Sequence, residues 1–527
     1  MRLSAETALP FERSFWNLWA RSKFTRTVSA AVILSASLFC IPQPSSAHPE
    51  GQLFRLRLKS EPMTLNWGQT ELDPNLLYNT MRGLYRRTSD GKVEMDLASS
   101  VKNEKNFTRW IIELQSDVKW SDGAYIRAEQ FVDAFQGLLK TTPQRARYPE
   151  IANLLREALA GSPTDSIRAL SDRTLEFRFS RPLPYLPALL THGATFPVRE
   201  DLFRKYADYG SNPSHMAWLG SFKVQDWQTG VRLILTPNPH HSKKPWLQRI
   251  EAWSLPNEST AIQLFSKNHL EWAPLSDLST SVSSGVIHAA TSAITMLAIR
   301  NPKGDQHPLT STRSGVLALS ASLNREKLQH PALDICPPFI WKNLTTAAPA
   351  PPAFNDAHLD TISTSGAPAL SRSLFREATG GDTEIVPLVL EYPQLLGFRE
   401  LAEALSLQWK AALGISVIAK PAPQPQAALT LITHSIGFPD LASCFRGLAV
   451  EDDEFKKLLS KAAGETNSKA RSALYLKASR RVLVEKPSLI PIQWSPSQVL
   501  VQPDVKGVSY FGTAGSDPVI DFGQIHY

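Results

Sequence analysis

The sequence predicts an α/β protein with a parallel or mixed sheet in its second half, and two observations carry that reading. Several short runs alternate apolar and polar residues, the period of a half-buried strand, and one long run with helical period is flanked by strand-like runs on both sides. The 527 residues, 43% hydrophobic and 20% charged, are enough to bury a sizeable core. Length alone suggests two to four domains at ~150 residues each.

Residues 1 to 47 read as an export signal. Basic Arg21, Lys23 and Arg26 precede the apolar run Val28 to Phe39, and Ser45-Ser46-Ala47 places small residues where a signal peptidase reads. Cleavage after Ala47 is expected, with His48 first in the mature chain. Cys40 raises a lipid anchor as the alternative, but Phe39 before it is bulky for a lipobox. The apolar run is shorter than the ~20 residues that span a bilayer. This segment holds five Lys and Arg against two acids, a surplus of three, so the formal charge of +7 leaves +4 for the remainder. No nucleic-acid partner is implied.

Farther along, Arg109 to Leu114 reads as a strand delivering the chain to Val118-Lys119-Trp120-Ser121-Asp122-Gly123. In that turn Asp122 can bond the backbone and Gly123 can take positive φ. A helix follows from Ala128 to Lys140, with Phe131, Phe135, Leu138 and Leu139 on its apolar face. Leu175, Phe177 and Phe179 alternate with Glu176 and Arg178 in a strand that ends at Arg181-Pro182-Leu183-Pro184. Phe222-Lys223-Val224 and Leu233-Ile234-Leu235 predict a hairpin joined through Trp227-Gln228-Thr229-Gly230. Ile385 to Tyr392 is a strand candidate. Phe398, Leu401, Leu405, Trp409 and Ala412 mark one helical face capped by Gly414, and Ile415 to Ile418 follows as a strand, which makes a β-α-β unit. Residues 345 to 370 and 421 to 428, rich in Pro, Ala, Ser and Thr, suit surface loops.

The order of these features resembles the solute-binding proteins of peptide-importing ABC transporters, the large oligopeptide-binding type of extracellular solute-binding family 5. The resemblance rests on Glu61-Pro62-Met63-Thr64-Leu65, Gly91-Lys92-Val93 with Asp96-Leu97-Ala98, the Trp120 turn and Ala128-Glu129-Gln130-Phe131. It continues through Leu170 to Leu175, Pro182-Leu183-Pro184-Tyr185, Gly220-Ser221-Phe222-Lys223-Val224, Asn238-Pro239, Leu413 to Val417, Phe438-Pro439-Asp440 and Ile490-Pro491-Ile492. The single motifs are weak and their collinearity is strong.

The resemblance implies a two-lobed type II periplasmic-binding-protein fold with an extra inserted accessory domain. A discontinuous first lobe would comprise residues 48–88, 190–280 and 495–527, the accessory domain 89–189 and the second lobe 281–494. It also implies a periplasmic monomer that captures an oligopeptide, or another extended solute, between its lobes and hands it to an ABC permease in the inner membrane. Strand edges would satisfy the peptide backbone, and hydrated pockets would accept its side chains.

Two segments are similar to the family's peptide-facing strands. One contains Thr70, Glu71 and Leu72, within Gln69 to Asp73; the other is Thr433-His434-Ser435-Ile436-Gly437, ahead of Phe438-Pro439-Asp440. Glu71 and Asp73 also read as solvated loop acids, and Leu431-Ile432-Thr433 as a core strand running into a turn. The family usually places an acid three positions before Asp440 to pair with the ligand's α-amino group; here that residue is Gly437, with His434 at about the place of a usual tryptophan. Asp440 is the remaining carboxylate that could take the role. A relative that has lost transport and serves as sensor, scaffold or envelope-assembly subunit is the alternative.

No enzyme is expected, because His-Glu-x-x-His, Gly-x-Ser-x-Gly and phosphate-cradling glycine loops are all absent from the sequence. Neither cofactor nor metal is expected: His240-His241 lacks the further ligands a metal site needs. Of three cysteines, Cys336 and Cys444 follow the export signal, and they read equally as two buried thiols or as one disulfide.

Overall fold

The computed structural model describes residues 53–88, 92–140, 148–275, 286–289, 293–300, 307–328, 366–394, 397–425, 427–435, 438, 440–494, 497–508, 510–514 and 517–527, all within one compact unit from His48 to Tyr527. The export-signal reading, Gly91, Cys336, Ile436, Gly437 and Pro439 lie outside the described residues. Among the described residues no helix is long and apolar enough to cross a membrane.

Among the described residues, three sheets of four or more strands organise the chain. The largest has seven strands, in the order Val286–Ala289, Ser497–Val501, Trp272–Leu275, Leu53–Leu58, Arg249–Ser254, Arg232–Pro237 and Phe222–Gln228. Its centre is the parallel pair Leu53–Leu58 and Arg249–Ser254, whose Phe54, Leu56, Ile250 and Ala252 are fully buried. The four-stranded sheet Ala98–Glu104, Arg109–Leu114, Thr174–Arg178 and Ile167–Ser171 is antiparallel throughout and is covered by the helix Ala128–Lys140. These two sheets share one hydrophobic core: Trp110, Phe135 and Phe177 belong to the same cluster as Phe54, Trp67 and Trp218. The five-stranded sheet Val417–Pro421, Leu388–Tyr392, Leu429–Ser435, Ala293–Ile299 and Leu489–Trp494 has a core of its own around Leu297, Leu390, Leu405 and Trp409.

The Trp120 turn shows how sequence makes the joint between the first two sheets. Gly123 sits at φ 88°, where L side chains are strained, and the Asp122 carboxylate accepts from Ala124 N at 3.1 Å. Trp120 is fully buried and stacks on Trp67, with centroids 6.5 Å apart. Its indole N–H donates to Gln130 Oε1 at 3.0 Å; that same oxygen accepts from Arg127 N at 3.0 Å and so closes the first turn of the helix. Ser121 N donates to Trp218 O at 2.8 Å and Trp218 N to Ser121 Oγ at 3.0 Å. Gly220 belongs to the same joint. A Cβ there would lie 2.1 Å from Asn79 O, and Asn238 Nδ2 donates to Gly220 O at 2.9 Å. The family-like landmarks at 120, 130, 220 and 238 are thus packing devices.

Several boundaries differ from the sequence expectation. The seven-stranded sheet takes in Val286–Ala289, which pairs antiparallel with Ser497–Val501. The β-α-β unit is parallel, but its first strand is Leu388–Tyr392. Its second starts at Val417 rather than Ile415, because Gly414 at φ 73° ends the helix Phe398–Leu413 and buried Ile415 is spent on the core. In the Phe222 hairpin, Trp227 and Gln228 extend the strand rather than turning; the Trp227 indole donates to Glu61 Oε1 at 2.9 Å.

Candidate functional site

The strand Leu429–Ser435 has a neighbour on both sides only at its first two residues, Leu429 and Thr430. On one side it pairs antiparallel with Ala293–Ile299 all along, from Ala293↔Ser435 to Ile299↔Leu429. On the other it pairs with Leu388–Tyr392 at Leu390↔Leu429 and Glu391↔Thr430. Beyond Thr430 no strand pairs with that edge among the described residues. A strand outrunning its neighbour presents unpaired N–H and C=O groups, the template for an added strand. Thr433, on this stretch, is exposed, whereas His434 is buried at 6%.

His434 faces inward. Its Nε2 lies 3.2 Å from Ser443 O, a geometry in which Nε2–H donates, and burial pushes its pKa below the ordinary histidine value. It is a neutral brace between the strand and the helix Leu441–Phe445, not a group offered to a ligand.

Asp440 is committed as well. Its Oδ1 accepts from Ala442 N at 2.8 Å, capping that short helix, and its Oδ2 accepts from Arg471 Nη1 at 2.9 Å. Arg471 Nη2 to Oδ1 completes a bidentate fork. Burial works against the Arg471 charge, but pairing with Asp440 raises its pKa overall. The guanidinium lies between two phenol rings, 4.9 Å from the centroid of Tyr185 and 5.3 Å from that of Tyr475. Phe438 stacks on Tyr185, with centroids 6.0 Å apart and planes 13° apart. It thereby enters the core of the first lobe and accessory domain. Arg446 Nη2 adds an ion pair to Glu157 Oε2 at 2.9 Å. Sequence reasoning missed Arg471, Tyr185 and Tyr475 as partners of Asp440. Only Tyr185 carried any signal, as part of Pro182-Leu183-Pro184-Tyr185.

The first-lobe segment departs from the expectation. Residues 69 to 73 form a turn and coil, not a strand. Gln69 N and Thr70 N both donate to Asn66 O, at 3.0 and 3.1 Å, and Gly68 N donates to Asn66 Oδ1 at 3.0 Å, which winds the chain up. Asp73 then caps the helix Pro74–Thr80, accepting from Asn75 N at 2.8 Å. Leu72 is buried at 3% in the first-lobe core, so it supports the segment, whereas Glu71 is exposed and Thr70 half-buried. Cys444 is buried and forms no disulfide among the described residues, its Sγ lies 3.8 Å from Asp440 O, and burial pushes its pKa well up.

Two lobes with separate cores, an accessory sheet fused to one of them and a strand with an open edge in the other define a two-lobed binding protein. The chain belongs to the bacterial extracellular solute-binding proteins, family 5, whose middle-region model matches residues 92–435. It is 24% identical over 518 residues to the probable deoxycholate-binding periplasmic protein YgiS of Escherichia coli (strain K12), covering 91% of this chain and 94% of that one. It is likewise 24% identical to the oligopeptide-binding protein OppA of Bacillus subtilis (strain 168), covering 87% and 90%. The unliganded open form of the periplasmic murein tripeptide-binding protein MppA shares the fold with a TM-score of 0.73 at 19% identity, covering 90% and 97%.

Proposed function

We propose that this chain is an exported binding protein, not an enzyme, that holds an extended oligopeptide against the free edge of Leu429–Ser435 and delivers it to an ABC transporter permease. The open edge beyond Thr430 is the observation that carries this reading, because it offers backbone hydrogen bonds whatever the ligand's side chains are. Membership of family 5 supports it, as do relatives whose names describe peptide binding. Thr433, Ser435, Ile436 and Gly437 would line the peptide in the second lobe, with Thr70 and Glu71 opposite. Export through residues 1–47 would leave a mature periplasmic chain beginning His-Pro-Glu, which N-terminal sequencing of the exported protein checks.

This peptide would not be held by its α-amino group. Gly437 offers no carboxylate, and Asp440 is already engaged by Arg471. Calorimetry with a short peptide and its N-acetylated form is the test. Acetylation should cost less than about tenfold in affinity, or ~1.4 kcal/mol, in place of the ~1.5 to 3 kcal/mol usual for a charge-assisted contact. A folded protein that binds no peptide would refute the reading. If it bound deoxycholate instead, the ligand class named for YgiS would replace it.

A further inference from the structure

The first lobe carries a cavity of about 530 Å³ whose lining, among the described residues, does not include Thr433, His434, Phe438 or Asp440. Among the described residues, five cationic side chains face it, those of Arg82, Arg86, Arg87, Lys243 and Lys244, against two carboxylates, Asp96 and Asp521. Two of the cations are neutralised. Arg82 grips Asp96 through Nε at 3.0 Å and Nη2 at 2.6 Å, and Arg86 reaches Glu94 at 3.0 Å on the surface.

Arg87 has no such partner among the described residues. It is half-buried in the short strand Tyr85–Arg87, its Nε is buried without a hydrogen bond, and no carboxylate pairs with it among the described residues. Burial pushes its pKa below the ordinary arginine value. Tyr85, two residues earlier and 5% exposed, also lines the cavity with a buried hydroxyl that has no partner among the described residues. Burial pushes that hydroxyl's pKa up to about 12, so it stays a protonated donor. Lys243 and Lys244 are exposed and form no ion pair among the described residues. Asp521 caps the turn Phe522–Gln524 through Gly523 N at 2.9 Å, and burial raises its pKa.

A guanidinium withdrawn from water without a counter-charge costs several kcal/mol, and its planar fork suits carboxylate and phosphate oxygens. The volume falls within the ~300 to 1,000 Å³ of small-molecule sites, and Met81, Phe196 and exposed Trp246 supply apolar surface beside the charge. We infer that this cavity binds a small oxyanion, a phosphate or carboxylate group free or carried on a small organic molecule, with Arg87 as its principal contact and Lys243 and Lys244 at its mouth. The site is separate from the proposed peptide edge, and the inference does not rest on it.

Equilibrium dialysis and thermal unfolding of the chain from His48 would be run with inorganic phosphate, with citrate and with chloride at matched ionic strength. Saturable binding of phosphate or citrate, with a rise in Tm that chloride does not produce, is expected. Phosphate alone would mark a free-phosphate site, and citrate alone an organic carboxylate site. Arg87→Gln should weaken binding at least tenfold. Lys243→Gln with Lys244→Gln, both on the surface, should weaken it about threefold to tenfold and flatten its salt dependence. No saturable binding of either probe would overturn the inference, as would binding that the lysine double variant leaves unchanged. If Arg87→Gln fails to fold, the lysine double variant decides.

Discussion

At Asp440 the carboxylate that could have stood in for the acid missing at Gly437 is turned inward. Both side chains of the Asp440–Arg471 pair are mostly buried, at 15% and 14% exposure, and Arg471 lies over two aromatic rings. Removing one partner of such a pair strands the other. Asp440→Asn is therefore expected to cost about 2 to 3 kcal/mol in urea unfolding, and a double-mutant cycle with Arg471→Met should show coupling above ~1 kcal/mol. Coupling near that of an exposed pair, below ~0.5 kcal/mol, would make Asp440 available to a ligand after all. His434 gives a pH signature. Its pKa is depressed by burial, so its contribution is present above the unfolded value of ~6.5 and is lost as pH falls through the lower folded value. Wild type should lose more stability than His434→Gln between about pH 7 and pH 5. Equal losses in the two proteins would contradict a neutral, buried His434.

At the scale of elements, what was legible in the sequence was what is local. The strand at Arg109, the helix at Ala128, the turn at Asp122-Gly123 and the capped helix ending at Gly414 all signal through period and turn chemistry within a few residues. The candidate site was legible only as an address. That the edge of Leu429–Ser435 is open depends on Leu388–Tyr392 stopping short beside it, a fact of topology. Arg471 and Asp440 meet across 31 residues through no shared motif. Residues 69–73 were expected to be a peptide-facing strand by resemblance, but the side chains of Asn66 and Asp73 bind the local backbone instead, the competition by which short polar residues defeat extended structure. Gly220 and Gly230 separate two reasons for glycine. Gly220→Ala would drive a Cβ to 2.1 Å from the Asn79 carbonyl, and it should cost more than ~3 kcal/mol or prevent folding. Gly230, at φ 75° with open space where a Cβ would lie, should lose only ~1 kcal/mol on substitution by alanine. Equal melting temperatures for the two variants would refute the close approach at Gly220.

For the whole molecule, the seam of Phe438, Tyr185, Arg471 and Arg446 ties the loop after the open strand to the accessory domain. The accessory domain shares its core with the first lobe. The loop after the open strand and the accessory domain are therefore connected by more than the chain crossovers between sheets. Hinge closure depends on how often the free protein visits the competent arrangement, and apparent affinity falls by that fraction. Tyr185→Leu with Arg446→Gln keeps apolar bulk at 185 while removing the ring stack, the cation–π contact and the ion pair. In the ligand-free variant the lobes should separate further, so the radius of gyration from solution scattering should rise above that of wild type. Peptide should bind about tenfold more weakly, equivalent to ~1.4 kcal/mol of lost restraint. A rise in radius without a change in affinity would mean that the restraint acts only on the open form. If neither quantity moves, the seam is packing alone and closure is set by the crossovers.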